Sequence, residues 1–170
     1  MNQKHNHKVK IETFMPSQAK AVAILIRDNI LQIHTNDYPQ DFIDMLLESF
    51  TAEKLIEKSI SQHTFVATAE GKILGTAGLA NFGDNTQPDY YAVAVFVQTG
   101  WHRQGIGNQL MAAIEDKAWR LGAERITVRA ALNARGFYQH LGYQDKDANK
   151  GPDEHGQYIM EKCNPNYPQK

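Results

Sequence analysis

Two glycines one residue apart, Gly105 and Gly107 in the stretch WHRQGIGNQL (101–110), stand between an apolar run, YYAVAVFV (90–97), and a segment with helical spacing. Glycine lets the backbone approach a ligand closely. A helix N-terminus adds unpaired N–H groups and the positive end of the helix dipole, so the arrangement suits a phosphate. Neighbouring residues disfavour the two commonest phosphate loops. Gly100 and Gly105 give the GxxxxG frame of a nucleoside-triphosphate loop, but Ile106 and Gly107 stand where Lys and Ser or Thr would neutralise phosphate and hold magnesium. A dinucleotide fingerprint needs a third glycine at position 110, which is Leu110. A pyrophosphate held mainly by backbone N–H groups, without a lysine clamp, remains.

The elements that must position this turn are legible on both sides of it. The run 90–97 lacks alternation, which predicts a strand buried on both faces. After the glycines, Ile106, Leu110, Ile114, Ala118 and Leu121 form a helical stripe that Gly122 ends. Upstream, a first strand is expected over 8–14. Ser17 is placed to cap a helix carrying Val22, Ile26, Ile30 and Ile33, and TNDYP (35–39) breaks that pattern. Phe42, Ile43, Leu46, Leu47 and Phe50 give a second apolar face, and Thr51 caps a third short helix. HTFVATAEGKILGTAGLA (63–80) reads as a hairpin turning at 70–72, and 81–89 as a polar loop. Downstream come a strand over 125–131, a short helix over 134–141 capped by Gly142, and strands near 143–146 and 157–162.

At 170 residues without repeats or low-complexity linkers, the chain is expected to be one α/β domain with a flexible tail over 1–7. His5 and His7 in that tail have no nearby carboxylate or thiolate, so no metal site is expected. The net charge of −1 gives no general attraction to nucleic acid or anionic lipid, and no apolar run reaches the length of a membrane span. The N-terminus MNQKHNHK lacks the apolar stretch of a signal peptide, and Cys163 is the sole cysteine, so the cytoplasm is the expected compartment.

VFVQTGWHRQGIGNQLM resembles the coenzyme A loop of the GNAT superfamily of N-acetyltransferases, in which an apolar strand precedes Arg/Gln-x-x-Gly-x-Gly/Ala. NARGFYQHLGY (133–143) resembles the family's later segment, a short helix carrying Phe-Tyr and closing on Leu-Gly-aromatic. The element order also matches, so the resemblance spans roughly 8–162 and is strongest over 91–143. It implies a mixed, mostly antiparallel sheet of six to seven strands, flanked by helices and splayed near strands four and five. It further implies that the backbone of Val95, Phe96 and Val97 pairs with pantetheine. The amides of Arg103, Gln104, Gly105, Ile106, Gly107 and Asn108 would cradle the pyrophosphate, with the His102 side chain as a further coenzyme contact. Tyr138 matches the tyrosine near the thioester sulfur. Two positions depart from the pattern: His102 fills the Arg/Gln place, and Ala131 stands where Asn is common, with Asn133 as a displaced substitute.

The implied reaction is direct acetyl transfer from acetyl-CoA to an amine of a small molecule or peptide. Tyr138 would be the proton donor, and backbone N–H groups at the end of the strand would polarise the carbonyl. Cys163 lies outside the motifs, so a covalent enzyme intermediate is not expected. No base is identified: the strand before the short helix reads Ile126-Thr127-Val128-Arg129, without a carboxylate, which leaves water, Asp89 or Glu154. Packing beside Phe137 is the alternative role for Tyr138, and His34, His63, His140 and His155 have no motif partner. Tyr38, Asp41, Asp44 and Glu48 could line an acceptor pocket, or the carboxylates could form a solvated helix face. The competing function is a non-catalytic module that binds coenzyme A or acyl-CoA and senses it. Longer acyl chains and a homodimer are left open.

Overall fold

A computed structural model describes residues 8–34, 38–148 and 150–168. The expected tail 1–7, with His5 and His7, and part of the expected break, 35–37, lie outside the described residues. Strands β1 (Lys10–Thr13), β2 (His63–Ala69), β3 (Lys72–Asn81), β4 (Tyr90–Val97), β5 (Arg125–Ala131), β6 (Gln144–Asp145) and β7 (Gln157–Cys163) form one sheet in the order β1-β2-β3-β4-β5-β7-β6. Every pairing is antiparallel except β4–β5. A parallel pair needs a crossover, and helix α4 (Ile106–Arg120) supplies it.

The helices cover both faces. Leu110, Met111, Ile114 and Ala118 of α4 are fully buried against Leu74, Leu79, Ile126 and Val128 of the sheet, as the helical stripe predicts. On the other face, α1 (Ala19–Asn29), α2 (Gln40–Ser49) and α3 (Ala52–Lys58) bury Val22, Ile26, Ile43 and Leu55 against Phe14 and Val66. Thr51 caps α3 through Oγ1, which accepts the Lys54 N–H at 3.3 Å. Ser17 does not cap α1. Pro16 instead opens a 3₁₀ turn over Pro16–Gln18, closed by the Met15 N–H donating to Gln18 Oε1 at 2.8 Å.

Close approach of α4 to the sheet depends on Gly75 in β3. A Cβ there would lie 2.9 Å from Leu110 Cδ1 and 2.9 Å from the backbone oxygen of Phe96, neither of which has room to yield. Gly75→Ala is expected to destabilise the protein by roughly 1–3 kcal/mol, the usual range for an overpacked core. The urea midpoint checks it; an unchanged midpoint would mean that α4 shifts freely over the sheet.

Strand β4 differs from its expectation. Only Ala92 is buried in it, and the other residues are half-buried, because its later part borders an open cavity rather than a second packed layer.

Candidate active site

The cavity arises where β4 and β5 part. They pair only at Tyr90–Ile126, Tyr91–Thr127 and Ala92–Val128; beyond that β4 stays with β3 as far as Val97, and β5 stays with β7 as far as Ala131. The β5-facing backbone groups from Val93 to Val97 therefore have no strand to pair with, and they behave as an internal sheet edge open to a ligand. The divergence is sharpened by a bulge. The β3–β4 register shifts between Thr76 and Gly78, and opposite it Ala94 adopts φ +51°, a left-handed conformation that costs a non-glycine residue roughly 1–2 kcal/mol. Such strain persists where the surroundings enforce it, commonly at ligand sites.

The glycine turn sits at the end of this edge. Gly105, at φ +78°, is the N-cap of α4, and its carbonyl accepts the Gln109 N–H at 3.1 Å. The N–H groups of Ile106, Gly107 and Asn108 thus precede the first intrahelical bond and remain available to an anion. Gly107 lets the turn close onto the helix bearing Tyr138: a Cβ at 107 would come within 3.1 Å of Phe137 Cζ. That helix, α5 (Arg135–His140), follows a 3₁₀ turn, Leu132–Ala134, at the end of β5.

One cavity of about 1070 Å³ runs along the edge, past the turn and onto α1 and α2. Val95, Phe96, Val97, His102, Arg103, Gly105, Ile106, Gly107, Asn108, Asn133 and Tyr138 all line it, and Gln104 does not. Gln104 instead turns its amide to the Gly100 carbonyl at 3.4 Å. The His102 ring folds back, so that Nε2 donates to the Val97 carbonyl at 2.9 Å and Nδ1 is the ring atom left for a ligand.

Tyr138 is nearly buried, with its ring edge-on to Phe137 at 5.1 Å and to Tyr143 at 5.6 Å. Among the described residues its hydroxyl makes no hydrogen bond, which leaves the polar tip to the cavity. Burial pushes the Tyr138 phenol well above its ordinary value, and burial together with the nearby Glu115 carboxylate does the same to Tyr143. Both stay protonated across the physiological range.

The sign of the linkage follows. Unfolded tyrosines ionise near pH 10 whereas these two hold their protons, so stability is full below about pH 10 and falls above it. Each should contribute a loss of roughly 1.4 kcal/mol per pH unit in that range. Urea melts at pH 9 and 11 measure the slope, which Tyr143→Phe should flatten; an unaltered slope would contradict the shift.

The carboxylates weighed for a role lie elsewhere. Asp41, Asp44 and Glu48 face solvent on α2, where Asp41 Oδ1 accepts the Phe42 N–H and Asp44 accepts from Gln40. Asp89 is exposed in the loop before β4, and the Glu154 side chain is 84% exposed. No described Asp or Glu lines the cavity. His63, His140 and His155 lie off its wall, and His155 stacks at 4.7 Å on Phe42, which lines it. Among the described residues no group of three His, Cys, Asp or Glu is placed to hold a metal ion. Nor is any helix long and apolar enough to cross a membrane.

The family model of the acetyltransferase (GNAT) domain matches residues 34–159, well over half of the chain. The chain belongs to the GNAT acetyltransferase family. Solved structures share this GNAT fold. A PaiA N-acetyltransferase from Thermoplasma acidophilum, in complex with coenzyme A, matches with TM-score 0.76 at 15% identity, over 92% of this chain and 99% of its own. A GCN5-related N-acetyltransferase from Rhodopseudomonas palustris matches with TM-score 0.75 at 24% identity, over 91% and 94%. YncA of Salmonella typhimurium, solved with its cofactor acetyl-CoA, matches with TM-score 0.67 at 15% identity, over 92% and 94%. No curated protein matches the chain in sequence.

Local sequence patterns do not reveal several parts of this GNAT site. The bulge at Ala94 has no local signature, since alanine is not a bulge residue by type. Trp101 and Thr99, both on the cavity wall, lie beside the glycines, whose signal is the stronger. Arg129 and Gln157 come to the wall from β5 and β7, and only the sheet order brings them together.

Proposed function

We propose that this GNAT domain transfers an acetyl group from acetyl-CoA directly to an amine of a small molecule or peptide. The observation carrying the proposal is the conjunction, in one cavity, of an unpaired strand edge, a glycine turn with free amides and a buried phenol. The residues fit coenzyme A. The edge from Val93 to Val97 suits the amides of pantetheine, and the N–H groups of Ile106, Gly107 and Asn108 suit a diphosphate. Arg103 adds donors at the turn, and Asn133 adds one near the start of α5.

When bound, the thioester supplies the acetyl group. Backbone N–H groups at the Ala94 bulge are placed to stabilise negative charge growing on the carbonyl oxygen. The amine nitrogen forms the amide bond, the carbon–sulfur bond breaks, and the Tyr138 hydroxyl donates a hydrogen bond to the departing sulfur. A phenol pushed above the ordinary thiol value of about 8.5 cannot favourably surrender its proton outright. Tyr138 therefore keeps its proton and acts as a hydrogen-bond donor, and the departing thiolate takes from solvent the equivalent of the proton that the nitrogen releases. With no carboxylate among the described wall residues, water in the open cavity carries the nitrogen's proton away. Amine and thioester become amide and thiol, with charge balanced.

The missing carboxylate also favours the second reading, a coenzyme A sensor without turnover. Two measurements separate the readings. Acetyl-CoA at 100 times its dissociation constant should stabilise the fold by about 2.7 kcal/mol, visible as a melting shift. A panel of amines should then release free thiol. A shift without thiol release supports the sensor, and no shift removes both readings.

A further inference from the structure

The acceptor half of the cavity, away from the glycine turn, is walled by Phe42, Phe50, Phe82 and Tyr91. Phe82 is 68% exposed and sits edge-on to Tyr91 at 5.1 Å, a large apolar ring at the mouth that the core does not use. The charge in this half is positive. Arg129 lies on β5 one residue beyond the last β4–β5 pair, at the throat of the splay. Its side chain belongs to the acceptor half: it pairs with Asp153, whose loop carries His155 stacked on Phe42 of α2.

Arg129 is held at the wall without being consumed there. Asp153 Oδ1 accepts the N–H groups of His155 and Gln157 at 2.9 Å each, while Asp153 Oδ2 stands 3.5 Å from Arg129 Nη1, beyond a good hydrogen bond. The guanidinium, more than half exposed, keeps its fork of N–H donors for a ligand. A polycationic amine would meet this guanidinium with no carboxylate among the described wall residues to bind it. An aromatic amine bearing a carboxylate would meet both features.

We infer that the acceptor is an amine with an aromatic body and a carboxylate, the carboxylate being read by Arg129. The inference rests on the acetyl-transfer reading: the amine nitrogen takes the acetyl group from sulfur, thiolate leaves, and the proton that the nitrogen gives to solvent is matched by the one the thiolate takes up as thiol. The test measures thiol release with phenylalanine and 4-(aminomethyl)benzoate, each against its counterpart without the carboxylate, phenethylamine and benzylamine, and with spermidine as the polycation.

At least one carboxylate amine should exceed its counterpart tenfold or more in kcat/KM. Arg129→Gln should bring that ratio towards one, and Arg129→Lys should keep part of it, with melting curves confirming that both variants fold. A preference for spermidine or for the amines without carboxylate, or a ratio unmoved by Arg129→Gln, overturns the inference while acetyl transfer stands. Coenzyme binding with no thiol release from any amine overturns acetyl transfer as well.

Discussion

Tyr138→Phe should lower kcat by about 10²- to 10³-fold, within the range for loss of a hydrogen-bond donor aimed at developing negative charge, while the dissociation constant for acetyl-CoA changes little. The split follows from geometry. The ring packs against Phe137 and Tyr143 and is unaffected by the substitution, so the pocket wall keeps its shape. The hydroxyl, with no hydrogen bond among the described residues, contributes mainly when negative charge reaches the sulfur. Such a group acts in the transition state more than in the ground state, so it appears in kcat rather than in binding. Steady-state rates with a competent amine, together with calorimetric titration of acetyl-CoA, check both halves. A rate within threefold of the parent would assign Tyr138 to packing alone.

Gly105→Asp should weaken coenzyme A binding at least 30-fold. A carboxylate at the N-cap of α4 would stand beside the amides of Ile106, Gly107 and Asn108, where the diphosphate is proposed to lie. Like charges brought together at a binding site cost several kcal/mol. The fold itself should lose far less. A Cβ at 105 meets nothing within 4 Å, Asp tolerates a left-handed backbone better than most residues, and an acidic group favours a helix N-terminus. Titration of coenzyme A beside a urea melt separates the two effects. An unchanged dissociation constant would place the diphosphate elsewhere.

Tyr138 is singled out by the family resemblance, Gly105 already by short-range sequence patterns, and for Gly105 the reason is local. Gly105, Ile106 and Gly107 announce a turn and a helix start because φ, dipole and apolar spacing are properties of a few consecutive residues. The helix over 106–120, the hairpin at 70–72 and the strand over 125–131 are legible for the same reason, since each is bounded by its own glycine or polar break. Ser17 departs from its expected capping role because Pro16 and Gln18 close a competing turn, a choice between two local options. The family resemblance adds what spacing cannot, the divergence of strands four and five.

Other features require the sheet to be assembled. Strand 90–97 carries an apolar pattern suited to two buried faces, yet its far half is open, because β5 leaves it after Ala92. The carboxylates of α2 could face either the cavity or solvent on pattern alone, and the rotation of that helix about buried Phe42 and Ile43 turns them outward. Arg129 and Asp153 lie 24 residues apart, and the β5–β7 pairing brings their neighbourhoods together.

The sequence by itself determined the glycine turn and the order of elements, written in short-range backbone preference and hydrophobic period, whereas Tyr138 is singled out by the family resemblance. Only the tertiary structure decided that the cavity wall carries arginine and, among the described residues, no carboxylate. The charge lining a cavity depends on which faces of distant strands and helices are turned inward, and packing of the whole core sets those rotations together.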